Sequence, residues 1–171
     1  MPRFVAFLRG VSPMNLKMSD LRQCLESAGF TEVKTLLSSG NAAFNASRGT
    51  EAVFAQKIER QLKKELGRSF PVTVRSIAHL STLLASDPYK KHPVRPGAKR
   101  IVTFLWSRRN AKLALPIELD GATIHEVRGL EAFSSYVRTP KGPVFMKLLQ
   151  STFGTEQTTR TWETVKKCSV A

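Results

Sequence analysis

Apolar and polar residues follow one another along the first half of the chain in a pattern that predicts the element order βαββαβ. Residues 3–9 are apolar at both alternating sets of positions, which is typical of a central strand covered on both faces. Helical spacing predicts two helices, with Ser19 and Thr50 as their N-caps and Gly67 at the end of the second. The predicted strands are 3–9, 33–37, 42–45 and 70–76, and a short helix follows at 77–85.

The second half repeats part of this pattern. Residues 100–106 are again apolar on both alternations, and Trp162, Val165 and Cys168 recur at helical spacing, so we expect residues 158–168 to be helical. The other predicted elements are a helical turn at 109–113, strands at 122–127 and 133–138, and a helix from Gly142 to Gly154. We therefore predict an α+β protein of two ferredoxin-like (βαββαβ-type) halves, the second truncated and ending in a C-terminal helix.

A boundary between the halves is predicted where the apolar periodicity stops. Residues 87–97 contain three prolines and no repeating apolar positions. The expected organisation is a first half at 1–86, a Pro-rich basic linker at 87–98 and a second half at 99–171.

Charge is the compositional outlier. The 171 residues are 42% hydrophobic, which is enough for a core, but 27 Lys and Arg against 13 Asp and Glu give a net charge of +14. Such a field attracts polyanions, of which nucleic acid is the commonest. The alternative is a solvated segment whose charge serves solubility. The densest run, the candidate polyanion patch, comprises Lys90, Lys91, Arg95, Lys99 and Arg100.

Several classes of protein are excluded or disfavoured by composition. No apolar run approaches the roughly 20 residues that span a bilayer, and the start lacks a secretory apolar region, so we expect a cytoplasmic protein without a membrane partner. Cys24 and Cys168 fall on apolar helical stripes and are expected to be core thiols. The three histidines are separated from one another and from any carboxylate cluster, so neither a metal site nor a cofactor is expected.

The loop from the first strand to the first helix is the leading candidate for an anion site. It combines a glycine, small polar side chains and two cations ahead of a helix N-terminus, a combination that suits phosphate or carboxylate. It lacks the GK[ST] ending of a Walker loop, so nucleotide hydrolysis is not supported. The alternative is that the loop only shapes a turn. The anion-binding candidates are Arg9, Gly10, Ser12, Asn15 and Lys17, with Arg160 from the C-terminal segment.

Two further segments are secondary candidates. Ser38, Ser39 and Asn41 place hydroxyls and an amide beside Gly40, without a nucleophile elbow, and a hairpin turn is the favoured interpretation. Thr159 and Trp162 suit an anionic or planar ligand, whereas the alternative makes Trp162 an anchor for the last helix.

Segments spread along the chain together resemble the bacterial domain-of-unknown-function-1697 family. They are Leu8–Val11 (LRGV), Met14–Met18 (MNLKM), Ala28–Val33 (AGFTEV), Leu37–Asn41 (LSSGN) and Thr158–Val165 (TTRTWETV). The resemblance implies an α+β protein of two ferredoxin-like halves and no established activity. The chain departs from the commoner family pattern in its shorter 11–15 segment and in Thr161, where Asn is commoner.

The sequence favours a basic cytosolic protein that binds an anionic partner such as nucleic acid. The alternative is an enzyme or binder for a small phosphorylated or carboxylated metabolite that uses the Arg9–Lys17 loop. A purely structural or self-associating protein is the third class, and the sequence leaves open whether the protein is an enzyme.

Overall fold

The computed structural model describes residues 1–108 and 113–171, and this part of the chain contains five α-helices and two antiparallel sheets. The protein is therefore α+β, as predicted. Contacts divide it into a first unit, residues 1–85 and 165–171, and a second unit, residues 86–164. The predicted turn at 109–113 lies mostly outside the described residues. No helix in the described ranges has the length and apolar character that crossing a bilayer requires.

The first unit has the predicted βαββαβ order of elements. Its sheet is antiparallel with the order β2-β3-β1-β4, so β1 is central, as its doubly apolar sequence predicts. The elements are β1 (Arg3–Leu8), α1 (Met18–Ser27), β2 (Thr31–Leu36), β3 (Asn41–Asn45), α2 (Glu51–Leu66), β4 (Val72–Ser76) and α3 (Ile77–Ser86).

The core of the first unit lies between one face of this sheet and helices α1 and α2. Phe4, Phe30, Phe44 and Phe54 form its aromatic centre, with ring centroids 4.5 to 6.1 Å apart. Aliphatic side chains of both helices, among them Leu21, Leu25, Ile58 and Leu62, complete it. Burial of these side chains is the main stabilising contribution to the unit.

The sequence predicts both ends of α2 correctly but not the start of α1. Thr50 caps α2 by accepting a hydrogen bond from the N–H of Val53, and Gly67 ends the helix with a left-handed φ of 67°, both as predicted. The prediction that Ser19 caps α1 is wrong. The N-cap is Lys17, because the N–H groups of Asp20 and Leu21 already bond to its carbonyl, so Ser19 lies within the first turn.

The second unit is built on a five-stranded antiparallel sheet with the order β6-β7-β8-β5-β9. Helix α4 packs on one face through Phe145, Leu148, Leu149 and Phe153. The elements are a 3₁₀ turn (Pro88–Lys90), β5 (Lys99–Leu105), β6 (Ile117–Leu119), β7 (Ala122–Arg128), β8 (Glu131–Tyr136), α4 (Val144–Phe153) and β9 (Gln157–Thr161). Helix α5 (Trp162–Ser169) follows β9, and its residues from Val165 onward are assigned to the first unit.

The prediction that the second half is truncated and helical from residue 158 is wrong. Gln157–Thr161 forms β9, which pairs antiparallel with β5, and the helix begins only at Trp162. The run of threonines favours a strand because β-branched side chains fit a pleated surface. The i, i+3, i+6 spacing holds only from Trp162 onward.

The Pro-rich segment at 87–98 is held to the second sheet by Tyr89. This side chain is buried, and its hydroxyl lies 2.6 Å from the carbonyl oxygen of Ile101 and 3.1 Å from that of Ser134. Its ring meets Trp162 edge to face at a centroid distance of 5.2 Å. The segment expected to be a linker is therefore anchored in the second unit.

Both cysteines are buried and neither forms a disulfide, so the prediction of core thiols is confirmed. Burial and the neighbouring Glu65 carboxylate raise the pKa of Cys24 to about 12. The thiol donates to Glu65 Oε2 at 3.0 Å and stays protonated at neutral pH, which makes it a poor nucleophile.

Candidate functional site

A cavity of about 220 Å³ opens between the Pro-rich segment and the second sheet. The segment contributes imidazole and guanidinium groups, β6 a carboxylate, and β7 and β8 two hydroxyls and a second imidazole. These functional side chains are His92, Arg95, Glu118, Thr123, His125 and Ser135. Because Tyr89 fixes the start of the segment on the sheet, His92 and Arg95 are brought to strands that lie far away in the sequence.

A β-bulge in β7 shapes the floor of this cavity. The pairing with β8 shifts between Ile124 and Glu126, which leaves His125 as the extra residue. The side chains of His125 and Glu126 are consecutive in β7, yet both lie near His92, which stacks on His125 and approaches Glu126. In a regular strand, consecutive side chains point to opposite faces, so the bulge is what assembles this group.

Ser135 and His125 form a close hydrogen-bonded pair on the cavity wall. The hydroxyl Oγ of Ser135 lies 2.7 Å from Nε2 of His125. Burial and the neighbouring His92 lower the pKa of His125, although Glu118 acts in the opposite direction. His125 is thus neutral at neutral pH, and a neutral imidazole can accept the proton of a hydroxyl.

His92 is held by charged groups on β7. Its ring stacks on His125 with centroids 5.3 Å apart, and its Nε2 lies 3.6 Å from Glu126 Oε2. Glu126 Oε1 accepts from Nε of Arg128 at 2.9 Å. Burial raises the pKa of Glu126, but Arg128 and His92 outweigh it, so the net pKa lies below its ordinary value. An ionised carboxylate therefore orients His92 at the cavity.

The candidate polyanion patch is not uniform, and of its cations only Arg95 lines this cavity. Lys90, Lys91, Arg95 and Lys99 are exposed. Arg100 instead pairs with Glu163 at 2.9 Å and lies 5.8 Å from the centre of the Tyr89 ring. A second cavity, of about 280 Å³, is lined by Lys99, Arg100 and Glu163 and shares Ala98 with the first.

The Arg9–Lys17 loop lies in the first unit and is closed by its own hydrogen bonds. Asn15 accepts from the N–H of Ser12 at 2.8 Å and donates to the carbonyl of Gly10 at 2.8 Å. The N–H groups of Met14, Asn15 and Leu16 all bond to oxygen atoms of Ser12. Four backbone donors of the loop are thus engaged within it, while Lys17 is exposed.

Arg160 belongs to the second unit, unlike the other anion-binding candidates. It lies on β9, and its Nη1 donates to the carbonyl of Thr159 at 2.7 Å. Thr159 lines a cavity of about 430 Å³ beside α4, where Tyr136 and Phe145 stack at 4.6 Å. Trp162 is buried among aromatic rings, which agrees with a role as an anchor.

Ser38 and Ser39 belong to the connection between β2 and β3, and Asn41 is the first residue of β3. Asn41 is fully buried and donates to the carbonyl of Leu36 at 3.0 Å and to Ser39 Oγ at 2.9 Å. The neighbouring Gly40 packs against Leu8 and Val11, so the LRGV and LSSGN segments meet. The hydrogen bonds of Asn41 and the close packing of Gly40 are typical of a tight turn.

The sequence model of a family described as "Protein of unknown function (DUF1697)" matches residues 1–129. The chain belongs to this family. The resemblance inferred from the five segments is thereby confirmed. No curated protein matches this DUF1697 chain significantly.

A solved structure supports the fold of this DUF1697 protein. It is that of the conserved bacterial protein SP0830 from Streptococcus pneumoniae, which is 20% identical to this chain and superposes with a TM-score of 0.72. The similarity covers 99% of this chain and 97% of that one. At this identity the likeness establishes a shared fold.

Sequence reasoning missed the histidine pair of this DUF1697 protein. His92 and His125 are far apart in the sequence, and the expectation that they are isolated from one another is wrong. His92 also approaches one carboxylate, that of Glu126. The two histidines come together because the Pro-rich segment folds back on the sheet. The spacing of the residues in the sequence does not predict this fold-back. Among the described residues no cluster of histidine, cysteine and carboxylate side chains suits a metal ion.

The lowered pKa of His125 gives the DUF1697 protein a pH-dependent stability. In the unfolded chain the imidazole titrates near 6.5, above its folded pKa, so protons bind the unfolded state preferentially. The free energy of unfolding should therefore fall as the pH drops below about 6.5, down to the folded pKa. Urea unfolding from about pH 8 to about pH 5 measures it.

The control for this titration is His125→Gln, which keeps a polar partner for Ser135 and removes the titrating ring. The variant should show a flatter stability profile in the same window. Glu126 titrates below 4.5 and does not contribute there. Profiles of identical slope for the two proteins would contradict the assignment to His125.

Proposed function

We propose that this DUF1697 protein binds a small phosphorylated or carboxylated metabolite in the cavity lined by His92, Arg95 and His125. The observation that carries the proposal is the convergence of the Arg95 guanidinium, two imidazoles and the hydroxyls of Thr123 and Ser135 on one small cavity, which Glu118 also lines. Arginine forks match carboxylate and phosphate oxygens, and hydroxyls add further donors. Concave sites with a few convergent polar groups are the usual ligand sites of proteins.

The cavity is preferred to the Arg9–Lys17 loop for a physical reason. An anion bound at a loop needs backbone N–H groups that point at it. In this loop the N–H groups of Ser12, Met14, Asn15 and Leu16 already have partners, so an anion would have to displace them. The loop stays a prediction and serves as the rival site in the test below.

Calorimetric titration with inorganic phosphate and with succinate tests the proposal. Arg95→Ala should raise Kd by roughly 10-fold or more, because a hydrogen bond to a charged group contributes about 1.5–3 kcal/mol. Arg108→Ala, another exposed cation of the second unit, is the matched control and should bind like the wild type. Loss of binding in Lys17→Ala with no change in Arg95→Ala would place the site in the loop instead.

Nucleic acid is the second candidate partner, and the exposed cations of the candidate polyanion patch favour it. Lys90, Lys91, Arg95 and Lys99 are all exposed within one short stretch of the chain, and Arg95 also lines the cavity. On duplex DNA, log K should fall with log salt by about 0.9 for each phosphate neutralised, and changing these four residues to alanine should flatten that slope. Fluorescence anisotropy at several salt concentrations measures it, and undetectable binding at low salt removes the candidate.

We also propose that both halves are ferredoxin-like and that the protein works in the cytoplasm. In support, the order β7-β8-β5-β9 in the second sheet repeats β2-β3-β1-β4 of the first, with β6 added at one edge. Two thiols that form no disulfide suit a reducing compartment.

A further inference from the structure

We propose that Ser135 is a nucleophile activated by His125, and that this cavity hydrolyses esters of small carboxylic acids that carry a second anionic group. The inference rests on the proposed function, because Arg95 is the group that would hold that anion. It adds an activity to what is so far a binding site.

The geometry of the pair is that of a nucleophile and its base. The 2.7 Å between Ser135 Oγ and His125 Nε2 lies within the range needed for direct proton transfer. The two residues lie on the adjacent strands β7 and β8, so the sheet fixes their separation. Both side chains line the cavity, where a small substrate can reach them.

The surroundings of His125 keep it ready to accept a proton. His92 stacks on one side, Arg95 and Glu118 line the same cavity, and Thr123 precedes it on β7. Glu126, which accepts from Arg128, approaches His92, and the Tyr89 ring meets His125 edge to face at a centroid distance of 6.3 Å. Burial and a neighbouring imidazole both disfavour the protonated ring, so the base is available at neutral pH.

The reaction balances with water as the only co-substrate. Ser135 Oγ attacks the ester carbonyl carbon while its proton passes to His125 Nε2. The bond from the carbonyl carbon to the alcohol oxygen then breaks, and the imidazolium protonates the departing alcohol. Water, deprotonated by His125, attacks the acyl-serine and releases the carboxylic acid, which restores the Ser135 hydroxyl. No oxidant, reductant or metal enters the balance.

The test uses the full-length protein with mono-4-nitrophenyl succinate, and with 4-nitrophenyl acetate as the ester lacking the second anion. Wild type should release a burst of 4-nitrophenolate and carry a succinyl adduct on Ser135 by mass spectrometry. The succinate ester should acylate at least about 10-fold faster than the acetate, and Arg95→Ala should erase that preference. His125→Gln should slow acylation about 10²–10⁴-fold.

Ser135→Ala should abolish the adduct, and Ser134→Ala is its matched control. Ser134 is the preceding residue of β8; its side chain is fully buried on the other face, and its hydroxyl has no hydrogen-bond partner in the described chain. That variant should acylate like the wild type. An adduct on another residue, or an undiminished burst in Ser135→Ala, overturns the proposal.

Binding and chemistry are separated by calorimetry with succinate. If wild type binds succinate but forms no adduct, the nucleophile is wrong and the proposed function stands. If it does neither, both fail. The adduct mapping is carried out on wild-type protein, so the conclusion holds even where a variant does not fold.

Discussion

Replacing Phe104 with alanine is expected to lower the free energy of unfolding by about 3–5 kcal/mol. Phe104 is fully buried on β5, which lies between β8 and β9 in the second sheet. Removing the phenyl ring leaves a cavity beside β5, a strand packed on both faces. The surrounding side chains therefore have little freedom to fill the cavity. Urea unfolding followed by circular dichroism measures the loss.

Arg95→Ala is the comparison for that measurement. Arg95 is exposed in the Pro-rich segment, and surface substitutions usually change stability by no more than about 0.5 kcal/mol. Losses of similar size in the two variants would show that β5 does not belong to the core.

The two central strands could be predicted from the sequence because both of their faces are buried. A strand covered on one side only shows alternation, whereas residues 4–8 of β1 and residues 101–105 of β5, apart from Thr103, are apolar on both faces. The caps of α2 could be predicted for a similar reason, since Thr50 and Gly67 act through their own local backbone. Local chemistry and complete burial both leave a signal within a short window.

Strand β9 and the bulge in β7 depend on partners far away in the chain. Gln157–Thr161 has no apolar alternation, and its strand exists because β5 offers it a free edge. The bulge at His125 is a property of the pairing with β8, so no reading of residues 122–128 alone reveals it. The candidate site depends on that bulge and on the hydrogen bonds that hold Tyr89 to the sheet. It could therefore not be predicted from the sequence.

Which of the basic residues are exposed could not be predicted from the sequence either. Arg100 and Lys99 are neighbours in the sequence, yet Arg100 pairs with Glu163 and Lys99 is exposed. Net charge predicts attraction of anions by the whole protein, but only tertiary structure decides which cations are available. In the cavity of His92 and Arg95, an exposed cation lies beside a concave surface lined by hydroxyls and imidazoles.

Gly40→Ala is expected to destabilise the protein by about 2–5 kcal/mol, because two costs add. The residue has a φ of +87°, a left-handed conformation that costs an L side chain about 1–2 kcal/mol. A Cβ at this position would lie 2.9 Å from Cγ2 of Val11 and 3.0 Å from Cβ of Leu8, and such overpacking costs about 1–3 kcal/mol more. Chemical denaturation of wild type and variant measures the sum.

Gly10→Ala separates the two costs, because Gly10 has a similar φ of +77° but open space around its α-carbon. This variant should lose only the conformational part, about 1–2 kcal/mol. Adding Val11→Ala to Gly40→Ala removes the nearest atom and should relieve part of the overpacking. The double variant should therefore lose less free energy of unfolding than the sum of the losses in the two single variants. Equal losses in Gly10→Ala and Gly40→Ala, with no recovery on shortening Val11, would mean that the LRGV and LSSGN segments are not in contact.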